Sequence, residues 1–313
     1  MGYKLAGFDV IGNCEIDPRM MKIYKANNHP KHSFLMDIRD FVKLENSGLP
    51  QELFDLDVLD GSPPCSVFST AGKREDGWGI EKVFREGQAK QRLDDLFFWF
   101  IDVARKLQPK VVIAENVTGI IKGNAKGYVN EILSAFKTAG YEAQIFKLDA
   151  SFMGVPQKRE RVFFIAHRAD LALPKLRMSF SERPILFGEV RSECGIPVNA
   201  DTLTAKLLSM RRKSDTDLGS ISKRVSGKKS GSTRLIYHDD KVAATLISGG
   251  DYYRYCDAQK LSKQDCINVQ TFPQDYDFLD QPVKYVCGMS VPPVMMAQIS
   301  KQVQLQWLDM LDC

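Results

Sequence analysis

No two cysteines in this chain stand at metal-ligand spacing. The seven, at positions 14, 65, 194, 256, 266, 287 and 313, are scattered, with no CxxC pair and no histidine pair beside them. Neither a zinc site nor a disulfide framework is indicated. An odd number of free thiols, behind a start Met1-Gly2-Tyr3-Lys4 that lacks a signal-peptide hydrophobic region, points to a reducing cytoplasm. Long hydrophobic runs are missing too: the longest aromatic-apolar run, Leu96 to Ile101, is far too short to span a bilayer. No GxGxxG turn opens the chain, which argues against a nicotinamide-dependent dehydrogenase. A net charge of +4 is too small to identify a nucleic-acid partner by itself.

What is present is an ordinary globular composition. The 313 residues suggest about two domains, and a 44% hydrophobic content can fill a substantial core. The chain is organised around Gly61-Ser62-Pro63-Pro64-Cys65-Ser66-Val67-Phe68-Ser69, which follows the strand-like Leu56-Asp57-Val58-Leu59. Two adjacent prolines fix their own φ angles and push Ser62 and Pro63 toward extended backbone, so the path to the thiol is narrow. A cysteine found singly is most often a small buried hydrophobe. Placed after a strand's carboxyl end, where open α/β sheets bind ligands, Cys65 reads instead as a nucleophile.

Other elements follow in order. Phe8 to Cys14 reads as a strand, with Asp17 and Pro18 as cap and first residue of a helix through Asn28. Glu15 at that junction is either an acceptor for ribose hydroxyls or a carboxylate favoured by the helix start. Ser33 to Ile38 gives a second strand that reaches Asp37. Leu93, Leu96, Phe97, Phe100, Ile101, Ala104 and Leu107 repeat at helical spacing. Lys110 to Ala114 then leads as a strand into Glu115-Asn116-Val117, where partial desolvation makes Glu115 either a proton donor or a hydrogen-bonded structural acid. A helix closed by Gly140 and a strand through Leu148 come next. In Gln157-Lys158-Arg159-Glu160-Arg161, period-two alternation predicts that Arg159 and Arg161 share a face, suited to a phosphate or a base carbonyl. From about residue 176 the alternation fades into a second, irregular region. It contains Arg211, Arg212, Lys213, Lys223, Arg224, Lys228, Lys229 and Arg234 against only Asp215 and Asp217, which is either a solvated loop or a phosphate-binding tract.

The Pro-Pro-Cys loop, Glu115-Asn116-Val117, Gln157 to Arg161, Val269-Gln270-Thr271-Phe272-Pro273 and Cys287-Gly288-Met289-Ser290-Val291-Pro292-Pro293 occur in the order of the DNA cytosine-C5 methyltransferases, which the chain resembles from about residue 8 to about residue 304. The resemblance implies an α/β class and a Rossmann-like, S-adenosyl-L-methionine-dependent methyltransferase sheet. Residues 1–175 and 283–313 would form the catalytic domain and 176–282 a smaller target recognition domain. It implies a catalytic set of Cys65, Glu115, Arg159 and Arg161, and cofactor contacts at Glu15, Ile16, Asp37, Ile38, Pro63, Ser290 and Val291. DNA contacts are expected at Ser66, Ser69, Arg211, Arg212, Lys228, Lys229, Arg234 and Thr245. The resemblance implies double-stranded DNA as the partner, with no membrane and no metal; the chain is expected to be monomeric and cytoplasmic, held at the nucleoid through DNA.

Two departures stand out. Met289 occupies the place of the family's asparagine. The family's first strand and Phe-x-Gly-x-Gly loop have no counterpart, because only fourteen residues precede Glu15, which gives the expectation of a shortened amino terminus and weak cofactor binding. A transfer-RNA branch of the family more often reads Pro-Pro-Cys-Gln-Pro-Phe-Thr, from which Ser66, Val67 and Ser69 depart. A DNA-binding relic without catalysis is the third reading.

Overall fold

A computed structural model describes residues 1–64, 95–122, 126–227 and 234–311. In chain order the elements are α1 (Gly2–Leu5), β1 (Gly12–Glu15), α2 (Pro18–Asn28), β2 (His32–Leu35), α3 (Ile38–Lys43), β3 (Val58–Gly61), α4 (Leu96–Leu107), β4 (Val111–Val117), α5 (Lys126–Thr138), β5 (Tyr141–Asp149) and β6 (Glu160–Arg168). They continue with α6 (Phe187–Val190), α7 (Leu203–Ser209), α8 (Leu218–Ser226), β7 (Arg234–Tyr237), β8 (Asp251–Arg254), α9 (Lys263–Gln270), α10 (Val283–Met289) and α11 (Pro293–Gln306). Among the described residues no helix is long and apolar enough to cross a membrane. The chain divides into two compact units: Asp9–Leu148 with Glu160–Met178 and Gln302–Cys313, and Met1–Phe8 with Asp149–Arg159 and Ser179–Lys301.

The first unit holds a mixed sheet in the order β3-β4-β6-β5, in which β3 and β4 run parallel and β4 and β6 antiparallel. Strands β1 and β2 pair in parallel, and among the described residues no ladder joins them to the larger sheet. The core forms where the sequence periodicity places it. Phe97, Phe100, Ile101 and Ala104 of α4 pack with Ile132 and Phe136 of α5 over Val112, Ala114, Val162 and Phe164 of the sheet. Gly61 has a steric reason: a Cβ there would lie 2.4 Å from the Phe100 ring, so a side chain would push α4 off β3. Helix α2 begins as read, with the Asp17 carboxylate accepting from Arg19 N and Pro18 in the first turn. The second expected strand stops earlier, at Leu35, because Asp37 caps α3 instead of extending the ladder.

In the second unit β7 and β8 form a short parallel pair. The described part of the basic tract, residues 211–227, is not an extended loop: it contains α8, which packs with α7 through Leu207, Leu208, Leu218 and Ile221, together with Ile236 and Tyr253. Contacts within this second unit gather segments from three parts of the chain. Gly2 approaches α11 so closely that a Cβ would lie 2.4 Å from the Met296 Cβ. Gln157 and Arg159 bond into Leu246, Val269, Gln270 and Gly288, which draws the segment before β6 into this unit.

Gly288 meets backbone rather than a movable side chain: a Cβ would stand 2.2 Å from Ser248 N, whereas Gly249 has nothing within 4 Å. Overpacking of this kind costs about 1–3 kcal/mol. Gly288→Ala should therefore lower the denaturation midpoint clearly, while Gly249→Ala leaves it nearly unchanged; chemical denaturation of both variants measures the difference.

Candidate active site

Strand β4 carries the first functional group to the edge of the core. Val111 to Ala114 have no exposed surface, and the chain emerges at Glu115. The antiparallel register pairs Glu115 with Phe163 and Val117 with Arg161, so Glu115 and Arg161 are diagonal neighbours on one face. Arg161 Nε lies 2.8 Å from Glu115 Oε1, with both side chains largely withdrawn from solvent. Arg161 Nη1 also donates to Glu160 O at 2.8 Å.

Asn116 points the other way, as the pleat requires. It is buried, its Nδ2 donates to Pro63 O at 3.1 Å, and its Oδ1 accepts from Val117 N at 2.9 Å. Pro63 and Pro64 have no N–H to donate, so this approach to position 65 is held through a carbonyl. Asn116 was not singled out from the sequence. Its signal was there, in a carboxamide beside Glu115 at the end of an otherwise apolar strand. Cys65, Ser66 and Ser69 themselves lie outside the described residues, as do Lys228 and Lys229.

Arg159 precedes the β6 ladder, which begins at Glu160. It is buried at 1% exposure; Nη1 donates to Leu246 O at 2.8 Å and Nη2 to Gly288 O at 3.1 Å. Beside it, fully buried Gln157 donates to Gln270 Oε1 at 2.8 Å and accepts from Leu246 N at 3.0 Å, and Gln270 donates to Ser290 O at 2.7 Å. Thr245 Oγ1 donates to Lys158 O at 2.6 Å. This network ties Thr245–Leu246, the end of α9 and Gly288–Ser290 together. Val291 follows directly.

Of the groups read as cofactor contacts in the first unit, Glu15 and Asp37 stand at the ends of neighbouring strands. Glu15 ends β1 and Asp37 follows β2, and the two strands are adjacent and parallel with Glu15 opposite Leu35. Two carboxylates at neighbouring strand ends fit a nucleoside, one for ribose hydroxyls and one for a ring amine. Ile16 and Ile38 follow them. Burial pushes the Glu15 acid above its usual range despite the hydrogen bond it accepts from Asp17 N at 2.8 Å. Burial likewise raises Cys14 and Cys266 to about 12, and Cys287 is raised as well, so none of the three is a ready thiolate. Among the described residues no cluster of histidine, cysteine, aspartate and glutamate could hold a metal.

The basic tract divides by what its members bond. Arg211 Nε donates to Tyr255 O at 2.6 Å, Nη1 to Leu208 O at 2.9 Å and Nη2 to Cys256 O at 3.3 Å. Arg224 pairs with buried Asp215 at 2.7 Å. Arg212 is exposed, with its backbone N–H on Asp215, and Arg234 opens β7.

Family comparison agrees with this arrangement: the C-5 cytosine-specific DNA methylase profile matches residues 1–305. The chain belongs to that family. The type II methyltransferase M.FnuDI of Fusobacterium nucleatum is 26% identical over 97% of this chain and 90% of its own length. M.NgoPII of Neisseria gonorrhoeae is 34% identical over 55% of this chain, which spans about half (46%) of that relative's length. A putative DNA modification methyltransferase structure from an Escherichia coli prophage superposes with TM-score 0.66 at 20% identity, covering 97% of this chain and 94% of its own. The DNMT2 structure of Spodoptera frugiperda does so at 0.63 and 15% identity, over 96% and 95%. These are Rossmann-like methyltransferase folds, and this chain shares the fold.

Because folding raises the Glu15 acid above 4.5, the folded state favours its protonated form. The charge costs nothing while the acid is protonated in both states, and the penalty appears as pH rises through and beyond that value. Glu15→Gln should therefore raise the melting temperature at pH 7 and lose this advantage toward pH 4, read by melting curves across that range.

Proposed function

We propose that the chain is a DNA cytosine-C5 methyltransferase of the restriction-modification kind, with residues 176–282 reading the target. The observation that carries this is the Glu115–Arg161 pair, set on one strand face immediately beyond a closed core, with the Pro63 carbonyl anchored by the next residue. A family match over residues 1–305 supplies the substrate class.

S-adenosyl-L-methionine, when bound, supplies an electrophilic methyl group. Glu15 would accept from its ribose hydroxyls and Asp37 from its adenine amine, with Ile16, Ile38 and Pro63 as further contacts of the same unit; Ser290 and Val291 are carried over from the family motif alone. Cytosine C5 is a weak nucleophile until a thiolate adds to the ring. The Cys65 sulfur forms a bond to C6, and the electron pair of the C5–C6 double bond moves toward C5 and N3. Glu115, which accepts from Arg161 in the structure, would take a proton from solvent as the ring arrives, donate it to N3 as charge develops there, and recover it when the S–C6 bond breaks. Arg161 would then donate to the ring O2, replacing one acceptor by another within the same reach. After C5 has gained the methyl group, its proton leaves to a base, the S–C6 bond breaks and the thiolate returns. The target cytosine must leave the duplex stack, at a cost of a few kcal/mol.

Arg159 would hold the Thr245–Leu246 segment that would meet the DNA backbone. Arg212 and Arg234 would contact phosphates, whereas Arg211 would shape the surface they occupy.

Duplex DNA containing 5-fluorocytosine halts the sequence before S–C6 cleavage, because fluorine cannot leave as a proton does. With S-adenosyl-L-methionine present, the wild-type chain should form a denaturant-resistant adduct, Cys65→Ala none, and Arg161→Ala about 10²–10³-fold less per unit time. An adduct that survives Cys65→Ala, or methyl incorporation into transfer RNA but not DNA, would overturn the assignment. In salt titrations, Arg212→Ala should reduce the slope of log affinity for duplex DNA by about one.

A further inference from the structure

The sequence Asp-x-Arg opens a helix twice in the first unit, and the two copies behave differently. At Asp17, Oδ1 accepts from Arg19 N at 2.8 Å and Arg19 Nε reaches the same oxygen at 3.5 Å, with the arginine 39% exposed. At Asp37, Oδ1 accepts from Arg39 N at 2.8 Å in the same capping geometry, while Oδ2 is taken separately by Arg39 Nη1 at 2.9 Å. The second amine, Nη2, donates to Asp95 Oδ1 at 2.8 Å, and Asp95 Oδ2 accepts from Trp99 Nε1 at 3.2 Å. Arg39 is 20% exposed. A planar guanidinium forked between two carboxylates ties the helix start after β2 to the start of α4, 56 residues on.

We propose that Arg39 is a positioning residue for purine selection: it fixes the plane of the Asp37 carboxylate so that this group accepts from a 6-amino purine and repels a 6-oxo purine. The proposal rests on the reading of Asp37 as the adenine-amine acceptor. A carboxylate held at both oxygens cannot turn to meet the N1–H of a 6-oxo ring, and the exocyclic oxygen faces another acceptor. A carboxylate held only by the cap can turn. Discrimination, rather than affinity as such, is what the fork confers.

The test compares S-adenosylhomocysteine with its 6-oxo analogue, S-inosylhomocysteine, by calorimetry or by NMR titration up to millimolar ligand, so that no turnover is needed. The wild-type chain should prefer the 6-amino ligand by about 10- to 100-fold, the worth of a charge-assisted hydrogen bond. Arg39→Gln should bring that ratio down to about threefold or less, and Arg39→Lys should fall between, since one ammonium cannot fork to two carboxylates. Asp95→Asn, which leaves Arg39 and Asp37 in place, should shift the ratio in the same direction and decides the matter if Arg39→Gln does not fold. Equal loss of both affinities in these variants would mean that Arg39 only stabilises the fold, and would overturn the proposal. A wild-type chain that binds neither nucleoside would overturn both this proposal and the cofactor reading beneath it, whereas binding without discrimination would overturn this one alone.

Discussion

The antiparallel register between β4 and β6 is the constraint on which the rest depends. Pairing Val117 with Arg161 and Glu115 with Phe163 puts an acid and a guanidinium on one face at 2.8 Å, while the intervening Asn116 is directed into the protein. A slip of one residue would send Glu115 inward and bring Asn116 to the chemical face. That slip is opposed by the apolar residues behind: Val111 to Ala114 and Val162 to Ala166 are fully buried, and each would have to change its surroundings. The site's geometry thus inherits its precision from packing that has no chemical role.

The second unit uses hydrogen bonds for a similar end. Arg159, Gln157 and Gln270 are buried polar side chains bonded chiefly to carbonyls and to one another. Leaving such groups unpaired in a low-dielectric interior is costly, so the network favours one arrangement of the segments it joins. Thr245–Leu246 and Gly288–Ser290, far apart in sequence, are fixed relative to each other by side chains from a third place. Close approach at Gly288, against Ser248 N, removes what slack would remain.

Much of this was legible in the sequence. The α4 stripe, the Asp17–Pro18 helix start and the apolar strand into Glu115 all took the form that their periodicity required, because local preference and burial agreed. The α/β class and family followed from motif order. Elsewhere tertiary contacts decided. Alternation placed Arg159 with Arg161, yet the ladder begins at Glu160, and Arg159 turns to carbonyls that no local pattern reveals. The basic tract read as one patch, whereas Arg211 and Arg224 are occupied by backbone carbonyls and by Asp215. Asn116 was passed over because its partner, Pro63 O, is 53 residues away and carries no sequence signature as an acceptor.

The proline pair has an experimental consequence. Residues 63 and 64 contribute no amide protons, so solvent-exchange methods that follow backbone N–H groups pass over the stretch leading to position 65. The carboxamide of Asn116, bonded to that same stretch from the interior, does carry exchangeable protons. Its side-chain resonance is therefore the natural spectroscopic gauge of whether the approach to position 65 is seated.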